Sequence, residues 1–199
     1  MYEIKFICNF ARRNNSMIMT FDGITGDGRL WAVRYENEDD NELYSVFDKW
    51  NDVLWLRNFF IANKNDLLLN YGMMGINEAV MDTIEDSELL ETALLDLSPD
   101  ADLDSLFRPL SNYLQESYLE KEKAKIRKRK KHASWLRIYA IKLSSGIFII
   151  TGGAIKLTAT MQERTHTAIE LIKIEKVRRF LIDNGIADET SFEDYIKEL

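Results

Sequence analysis

The fold is decided by the stretch Trp135-Leu-Arg-Ile-Tyr-Ala-Ile-Lys-Leu143, which is followed by Ser144-Ser-Gly146 and by Ile147-Phe-Ile-Ile-Thr151. The two longer segments are rich in β-branched and aromatic residues, as β-strands are. The link between them is short and contains a glycine, which is the pattern of a β-hairpin. The sequence therefore predicts two antiparallel strands at this point of the chain.

Arg137 and Tyr139 alternate with apolar residues in the first of these strands. Because successive side chains of a strand point to opposite faces, a cation and a phenol are expected on one face of the sheet. Arginine binds phosphate with two parallel hydrogen bonds, and tyrosine stacks on bases or transfers a proton, so the pair suits single-stranded RNA. The simpler interpretation is a solvated face of a half-buried strand.

Three earlier segments predict strands, with antiparallel pairing between them: Tyr2–Phe10, whose apolar residues alternate on one side, and the strand-like stretches Met17–Phe21 and Leu30–Tyr35. Cys8 falls on the apolar side of the first segment, so we interpret it as a buried small residue. The chain has no other cysteine, which excludes an internal disulfide.

The middle of the chain has the spacing of helices. One or two helices are expected from Asn41 to Asn63, with Asn51 able to cap the second. Two short helices, broken near Asp86-Ser87, are expected within Asn77–Leu97, then a short helix over Asp102–Leu110 and a longer one over Asn112–Lys130. The aromatic pairs Trp50/Trp55 and Phe59/Phe60 fall on the apolar stripes, so we expect them in the core.

A polar loop, Gly152–Thr167, separates the hairpin from the next helix. It lacks the spacing of a phosphate-binding P-loop, but Lys156, Arg164 and His166 offer phosphate ligands and a side chain suited to proton transfer. The alternative is that His166 is an exposed residue beside a cap, since Thr167-Ala-Ile-Glu170 matches a capping box for a helix that Gly185 ends. A second capping box, Thr190–Glu193, predicts a brief terminal helix.

Charge is distributed unevenly along this chain of 199 residues and net charge −7. Sixteen Lys/Arg stand against four Asp/Glu from Lys121 to Arg179, whereas Glu36–Asp104 holds three against eighteen. The basic tract Lys121–Lys131 would attract phosphates of any sequence by counterion release. Its other interpretations are a solvated helix end and an internal partner for the acidic helices.

Composition limits the classes of protein further. An apolar fraction of 46% suits a globular domain with a real core. Met1–Ala11 lacks the apolar run of a signal peptide and no membrane span is expected, so we predict a cytoplasmic protein without a membrane partner. With two histidines and one cysteine, no metal site and no cofactor are predicted.

The order of these elements resembles the RelE/HigB-like toxin superfamily, particularly its phage-derived branch. The likeness is carried by an Arg-bearing strand, a tight turn, a strand running into Gly-x-x-Lys-x-Thr and a basic closing helix. The residues concerned are Leu136–Tyr139, Gly146–Ile150, Gly153–Thr158, Glu170, Lys173, Lys176 and Arg178-Arg179, with Leu30–Tyr35 and Asp48–Phe60 at the front.

The resemblance implies an α+β fold in which helices cover an antiparallel sheet with an open basic face. It implies a single RelE-like domain over residues 1–199 with an inserted helical region at about 63–131. Members typically cut messenger RNA on the ribosome and are neutralised by a DNA-binding antitoxin. The expected partners are thus a cognate helix-turn-helix antitoxin, mRNA and the ribosome.

The RNA's own 2′-hydroxyl would be the attacking group in such an enzyme. Charge stabilisation would come from Arg137, Lys156 and Arg164, and proton transfer from Tyr139 or His166. Nucleic-acid binding would involve the basic tract and the closing helix through Lys125, Arg127, Lys128, Arg129, Lys130, Lys131, Lys173, Arg178 and Arg179.

The alternative function is a non-catalytic module that binds nucleic acid or an acidic protein with the same basic surface, 121–179. A topoisomerase-directed toxin has no supporting feature, and a metabolite enzyme lacks a nucleotide loop or nucleophile–base spacing.

Overall fold

The structure, a computed structural model, describes residues 19–96, 103–110, 119–124, 132–144 and 146–198. Six strands lie within these residues: β1 Met19–Gly23, β2 Leu30–Tyr35, β3 Phe107–Pro109, β4 Glu120–Ala124, β5 Leu136–Lys142 and β6 Phe148–Ile155. The helices among them are α1 Glu42–Asn51, α2 Val53–Ala62, α3 Lys64–Tyr71, α4 Ile76–Leu95, α5 Leu103–Leu106, α6 Thr165–Asp183 and α7 Glu189–Lys197.

The strands form one mixed sheet in the order β1-β2-β6-β5-β4-β3. All neighbouring pairs are antiparallel except β2 and β6, which run parallel. The fold is therefore α+β with a mixed sheet, and the prediction of a purely antiparallel sheet is wrong at this one pair. β2 and β6 can run parallel because the connection between them is long. It contains α1 to α4 and the strands β3, β4 and β5.

Helices cover both faces of the sheet. On one face α1, α2 and α4 enclose a core that contains Trp50, Leu56 and Leu136. On the other face α6 and α7 pack over a second core that includes Tyr139 and Ile174. The expectation of an open, solvated sheet face is therefore wrong, because the closing helices occupy it.

A β-bulge lies in the middle of the central hairpin. Tyr139 pairs with Gly152 and Ala140 pairs with Ile150, so Thr151 is an extra residue in β6. The Thr151 hydroxyl donates to the Tyr139 carbonyl at 3.3 Å, and the Tyr35 hydroxyl donates to the Thr151 carbonyl at 3.0 Å. A bulge changes the direction of the residues that follow it. Here it brings the backbone of Gly152 against the buried carboxylates of Glu170 and Glu42.

Several predicted elements are confirmed. The segment Leu30–Tyr35 is a strand with the predicted bounds, and β5 and β6 form the predicted hairpin, although β6 continues to Ile155 through the first four residues of the predicted loop Gly152–Thr167. The two-helix interpretation of residues 41–63 is also confirmed, although Asp52 and not Asn51 caps the second helix, its carboxylate accepting from the amides of Leu54 and Trp55. The predicted strand at Tyr2–Phe10, with Cys8, lies outside the described residues.

Three helix predictions are wrong, in whole or in part. Residues 76–95 form one continuous helix, because Asp86 and Ser87 are buried within it and do not interrupt it. The predicted helix Asn112–Lys130 contains the strand Glu120–Ala124, which pairs with β5, and the predicted helix Asp102–Leu110 ends in β3. The range 63–131 is therefore not a purely helical insertion, since two of its segments extend the sheet.

The two predicted capping boxes are also wrong in position. α6 begins at Thr165 after Arg164, and the Thr167 hydroxyl donates to the carbonyls of Met161 and Arg164. α7 is capped instead by Asp188 and Ser191, which bond each other's backbone amides reciprocally. In the part of the chain that the structure describes, no helix combines the length and the apolar character that a bilayer crossing requires.

Candidate functional site

Three predicted catalytic residues and one buried carboxylate meet where β6 leads into α6. We call this group, Lys156, Arg164, His166 and Asp66, the loop site. Asp66 lies on α3 and the other three on the β6–α6 connection or the first turn of α6. Residues about one hundred positions apart in the sequence are thereby fixed in one place.

Asp66 holds Arg164 in a fixed orientation. The Arg164 Nε donates to Asp66 Oδ2 at 2.5 Å, and Nη2 donates to Oδ1. The Nη1 group donates to the Glu163 carbonyl at 2.6 Å. The hydrogen bonds from Arg164 hold the pKa of the Asp66 carboxyl below its usual range, so Asp66 is charged. Since a guanidinium carries five N–H donors, the pairing orients Arg164 while leaving donors for a phosphate oxygen.

His166 is fixed by a single backbone hydrogen bond. Its Nε2 lies 3.0 Å from the Ile155 carbonyl oxygen. A carbonyl oxygen only accepts, so Nε2 carries a proton, and Nδ1 is the ring nitrogen that is left to act as a base. The ring is half-buried and meets Phe59 edge to face at 5.2 Å between centroids. This arrangement suits a general base whose tautomer is set by the fold.

Lys156 is the remaining member of the loop site. Its Nζ donates to the carbonyls of Thr158 at 2.8 Å and Ala159 at 2.5 Å, so the ammonium organises the loop that connects β6 to α6.

Arg137 and Tyr139, the other two predicted catalytic residues, lie in a different environment. Tyr139 is 0% exposed within the core beneath α6, and burial raises the pKa of its hydroxyl. Arg137 donates to the carbonyls of Ser134 at 2.7 Å and Leu136 at 2.6 Å, and burial lowers its pKa. Tyr139 is therefore shielded from any polymer outside.

The residues that were predicted to contact nucleic acid lie in three different settings. Lys125, Arg127, Lys128, Arg129, Lys130 and Lys131 lie outside the described residues. Lys173 is bound by two carboxylates inside the protein, and Arg178 pairs with Glu175 at 3.4 Å. Arg179 is exposed on α6.

The prediction for the aromatic pairs is confirmed for Trp50 and Phe60, which are 2% and 0% exposed. It is wrong for Trp55, which is 36% exposed and stacks on the half-buried Phe59 at 5.5 Å between centroids. Helical spacing placed both tryptophans on an apolar stripe, but the turn between α1 and α2 at Asp52 gives the second stripe a different direction.

A second polar group lies under the bulge and was not predicted. Lys173 Nζ lies 2.8 Å from Glu42 Oε2 and 3.2 Å from Glu170 Oε1, and 5.5 Å above the ring of Tyr35. We call Glu42, Glu170 and Lys173 the buried triad. The Oε2 atom of Glu170 is buried without a hydrogen-bond partner among the described residues. Burial raises the pKa of Glu170 to about 7, aided by the charge of Glu42 and opposed by Lys173.

Replacing Glu170 by glutamine is expected to change how stability depends on pH. The folded protein binds this proton more tightly than the unfolded chain, whose carboxyl has a pKa near 4.5. The contribution of Glu170 is therefore fully present below about pH 4.5 and is lost as pH rises through about 7. Relative to Glu170→Gln, the wild type should lose up to about 3 kcal/mol of unfolding free energy across this window, measured by urea unfolding at each pH.

Glu175→Gln on the same helix is the matched control. Its hydrogen bond from Lys121 lowers the pKa of Glu175, so its contribution is constant above about pH 5. The pH dependence of the wild type alone does not isolate Glu170, because burial also raises the pKa of Glu122 to about 7. The difference between the wild type and Glu170→Gln removes the contribution of Glu122. A difference between wild type and Glu170→Gln that stays constant from pH 5 to 8 would contradict the account of the buried triad.

Neither Asp66 nor Glu42 could be selected from the sequence as a functional residue. Both are single acids within the strongly acidic region, and their partners lie 98 and 131 positions away. Across the described residues no group of three or more His, Cys, Asp or Glu side chains is placed to hold a metal ion.

Comparisons with protein-family models, curated proteins and solved structures give no match to this chain.

Proposed function

We propose that the protein is the toxin of a toxin–antitoxin pair and cuts messenger RNA on the ribosome at the loop site. The observation that carries this proposal is that Asp66 orients Arg164 while the Ile155 carbonyl orients His166, two residues further along the chain. The order of β5, β6 and α6, which resembles the RelE/HigB-like core, supports it further. The proposed partners are mRNA, the ribosome and a helix-turn-helix antitoxin, and the proposed place of action is the cytoplasm.

The reaction needs only groups that the loop site offers. His166 Nδ1 accepts the proton of the RNA 2′-hydroxyl, whose oxygen attacks the adjacent phosphorus. The bond between phosphorus and the 5′-oxygen breaks, and that oxygen leaves with a proton supplied by the imidazolium or by water. Arg164 and Lys156 stabilise the negative charge that develops on the phosphoryl oxygens. The products are a 2′,3′-cyclic phosphate and a 5′-hydroxyl.

The position of the loop site at the start of α6 favours the same chemistry. The partial positive charge at the N-terminus of this 19-residue helix lies next to Arg164. Phosphate groups bind readily at such ends, where backbone N–H groups lack helical partners. Arg164, the helix end and Lys156 would thus act on one phosphate from adjacent positions.

Replacing Arg164 by methionine should lower the yield of new mRNA 5′ ends about 100-fold after brief induction in a bacterial host, because it removes the oriented donor. The measurement is sequencing of 5′ ends across reading frames. Arg29→Gln is the control, since Arg29 pairs with Asp27 away from the loop site. Because the change leaves the buried Asp66 unpaired, thermal unfolding of the purified variant establishes that it is folded. Equal numbers of ends from wild type and a folded Arg164→Met would refute the role of Arg164.

A non-catalytic binding module is the second candidate. The burial of Tyr139 favours it, because burial removes one proton carrier from the expected catalytic set. This candidate predicts salt-sensitive RNA binding with no new ends.

A further inference from the structure

Three aromatic rings connect the surface of α2 to the loop site. Trp55 and Phe59 are stacked, with an interplanar angle of 16° and 5.5 Å between centroids. Phe59 meets His166 edge to face at 5.2 Å. The outermost ring, Trp55, is 36% exposed. Exposed tryptophan that is already stacked on one side has lost its rotational freedom before any ligand arrives.

The charges beside this row favour a nucleic acid as the ligand. Arg164 is exposed and held in place by Asp66, and it lies in the same site as the innermost ring, His166. Proteins that bind single-stranded nucleic acids combine such cations, which contact the backbone, with aromatic side chains on which bases stack. A base in a duplex has both faces covered by its neighbours, so only an unpaired base can occupy a side-chain platform.

We propose that Trp55 is a stacking subsite for one unpaired base of single-stranded RNA, next to the phosphate that Arg164 binds. This inference rests on the proposed function for the identity of the polymer. Phe59 supports the indole from behind, and His166 connects the subsite to the reacting phosphate. The base at this subsite would be a neighbour of the cleaved linkage, so Trp55 would position the RNA without taking part in proton transfer.

A protein-binding surface is the competing explanation of the exposed ring. Leu54, the preceding residue, is 68% exposed, and an apolar partner would cover it together with Trp55. Leucine offers no planar face for a base, so the two explanations predict different effects of replacing Leu54. The ring row and the adjacent Arg164 favour RNA.

The test measures binding and not cleavage. A fluorescently labelled single-stranded RNA of ten nucleotides is titrated with the His166→Ala protein, and its anisotropy is followed at low salt. Adding Trp55→Ala should weaken binding about 10-fold, within the range found for base–aromatic stacking. Trp55→Phe should retain most of the affinity, and Leu54→Ala should leave it unchanged. Thermal unfolding of each variant confirms that the fold is intact.

Three results would overturn the subsite: no binding by the parent protein, equal binding by Trp55→Ala, or an equal loss from Leu54→Ala, which indicates a protein-docking surface. The outcome is separable from that of the proposed reaction. A wild-type protein that makes no cuts would leave a Trp55-dependent affinity in place. A wild-type protein that cuts RNA while Trp55→Ala binds normally would refute the subsite alone.

Discussion

Replacing His166 by alanine is expected to lower the rate of RNA cleavage by about 10²- to 10⁴-fold, the usual contribution of a general acid or base. The reason is that the carbonyl of Ile155 fixes the proton on Nε2 and leaves Nδ1 to accept one. Tyr139, the other predicted proton carrier, is buried and its pKa is raised, so it offers no substitute. The measurement is the single-turnover rate with purified ribosomes and one defined mRNA.

The chain contains one other histidine, which provides a matched control. His132 stacks on Trp135 at 4.6 Å between centroids, and its Nε2 lies 2.9 Å from Asp82 Oδ2. A folded His132→Gln variant should keep the wild-type rate. If His166→Ala cleaves as fast as this control, His166 is not the base.

The second large effect concerns the glycine under the bulge. A methyl group at Gly152 would lie 2.0 Å from Glu170 Oε2 and 3.1 Å from Glu42 Oε2, and the backbone φ of +154° is one that residues with a side chain rarely adopt. Both carboxylates are held by Lys173 and have little room to retreat. Gly152→Ala should therefore cost about 3 kcal/mol or more of unfolding free energy, from overpacking and backbone strain together.

Thermal unfolding provides the measurement, and a loss of this size corresponds to a midpoint about 6–12 °C lower for a chain of this length. Gly26→Ala is the control, because a methyl group there meets no atom within 4 Å. The double variant Gly152→Ala with Glu170→Ala removes the contact and should recover part of the loss. If Gly152→Ala does not accumulate in soluble form while Gly26→Ala does, the soluble fraction gives the same comparison. A midpoint for Gly152→Ala equal to that of the control would mean that the carboxylates are not held as described.

The sequence predicted those elements whose pattern is local. β2 and β5 are rich in β-branched and aromatic residues, and each was placed within a residue of its observed bounds. By contrast, Glu120–Ala124 carries four charges in five residues and was interpreted as helix. It is a strand because its backbone pairs with β5 while Ala124 is buried in the core. That pairing depends on the position of β5, so it cannot be predicted from the sequence of residues 120–124 alone.

The candidate site was predicted in part for the same reason. Lys156, Arg164 and His166 lie within eleven residues, so the chain alone brings them near one another. Asp66 and Trp55 reach the site only through the packing of α2 and α3, and their spacing carries no signal of this. Alternation correctly placed Tyr139 opposite Ile138, but it does not reveal which helix covers a face, and α6 buries the phenol.

Cleavage of mRNA through its own 2′-hydroxyl leaves RNA ends of a defined chemistry, which can be measured. Purified wild-type protein is incubated with translating ribosomes and one mRNA, and the fragments are analysed for their termini. We expect discrete cuts that leave 2′,3′-cyclic phosphates and 5′-hydroxyls. The same cuts should be absent when His166→Ala replaces the wild-type protein. Intact mRNA in the presence of folded protein, or fragments that carry 5′-phosphates, would contradict it.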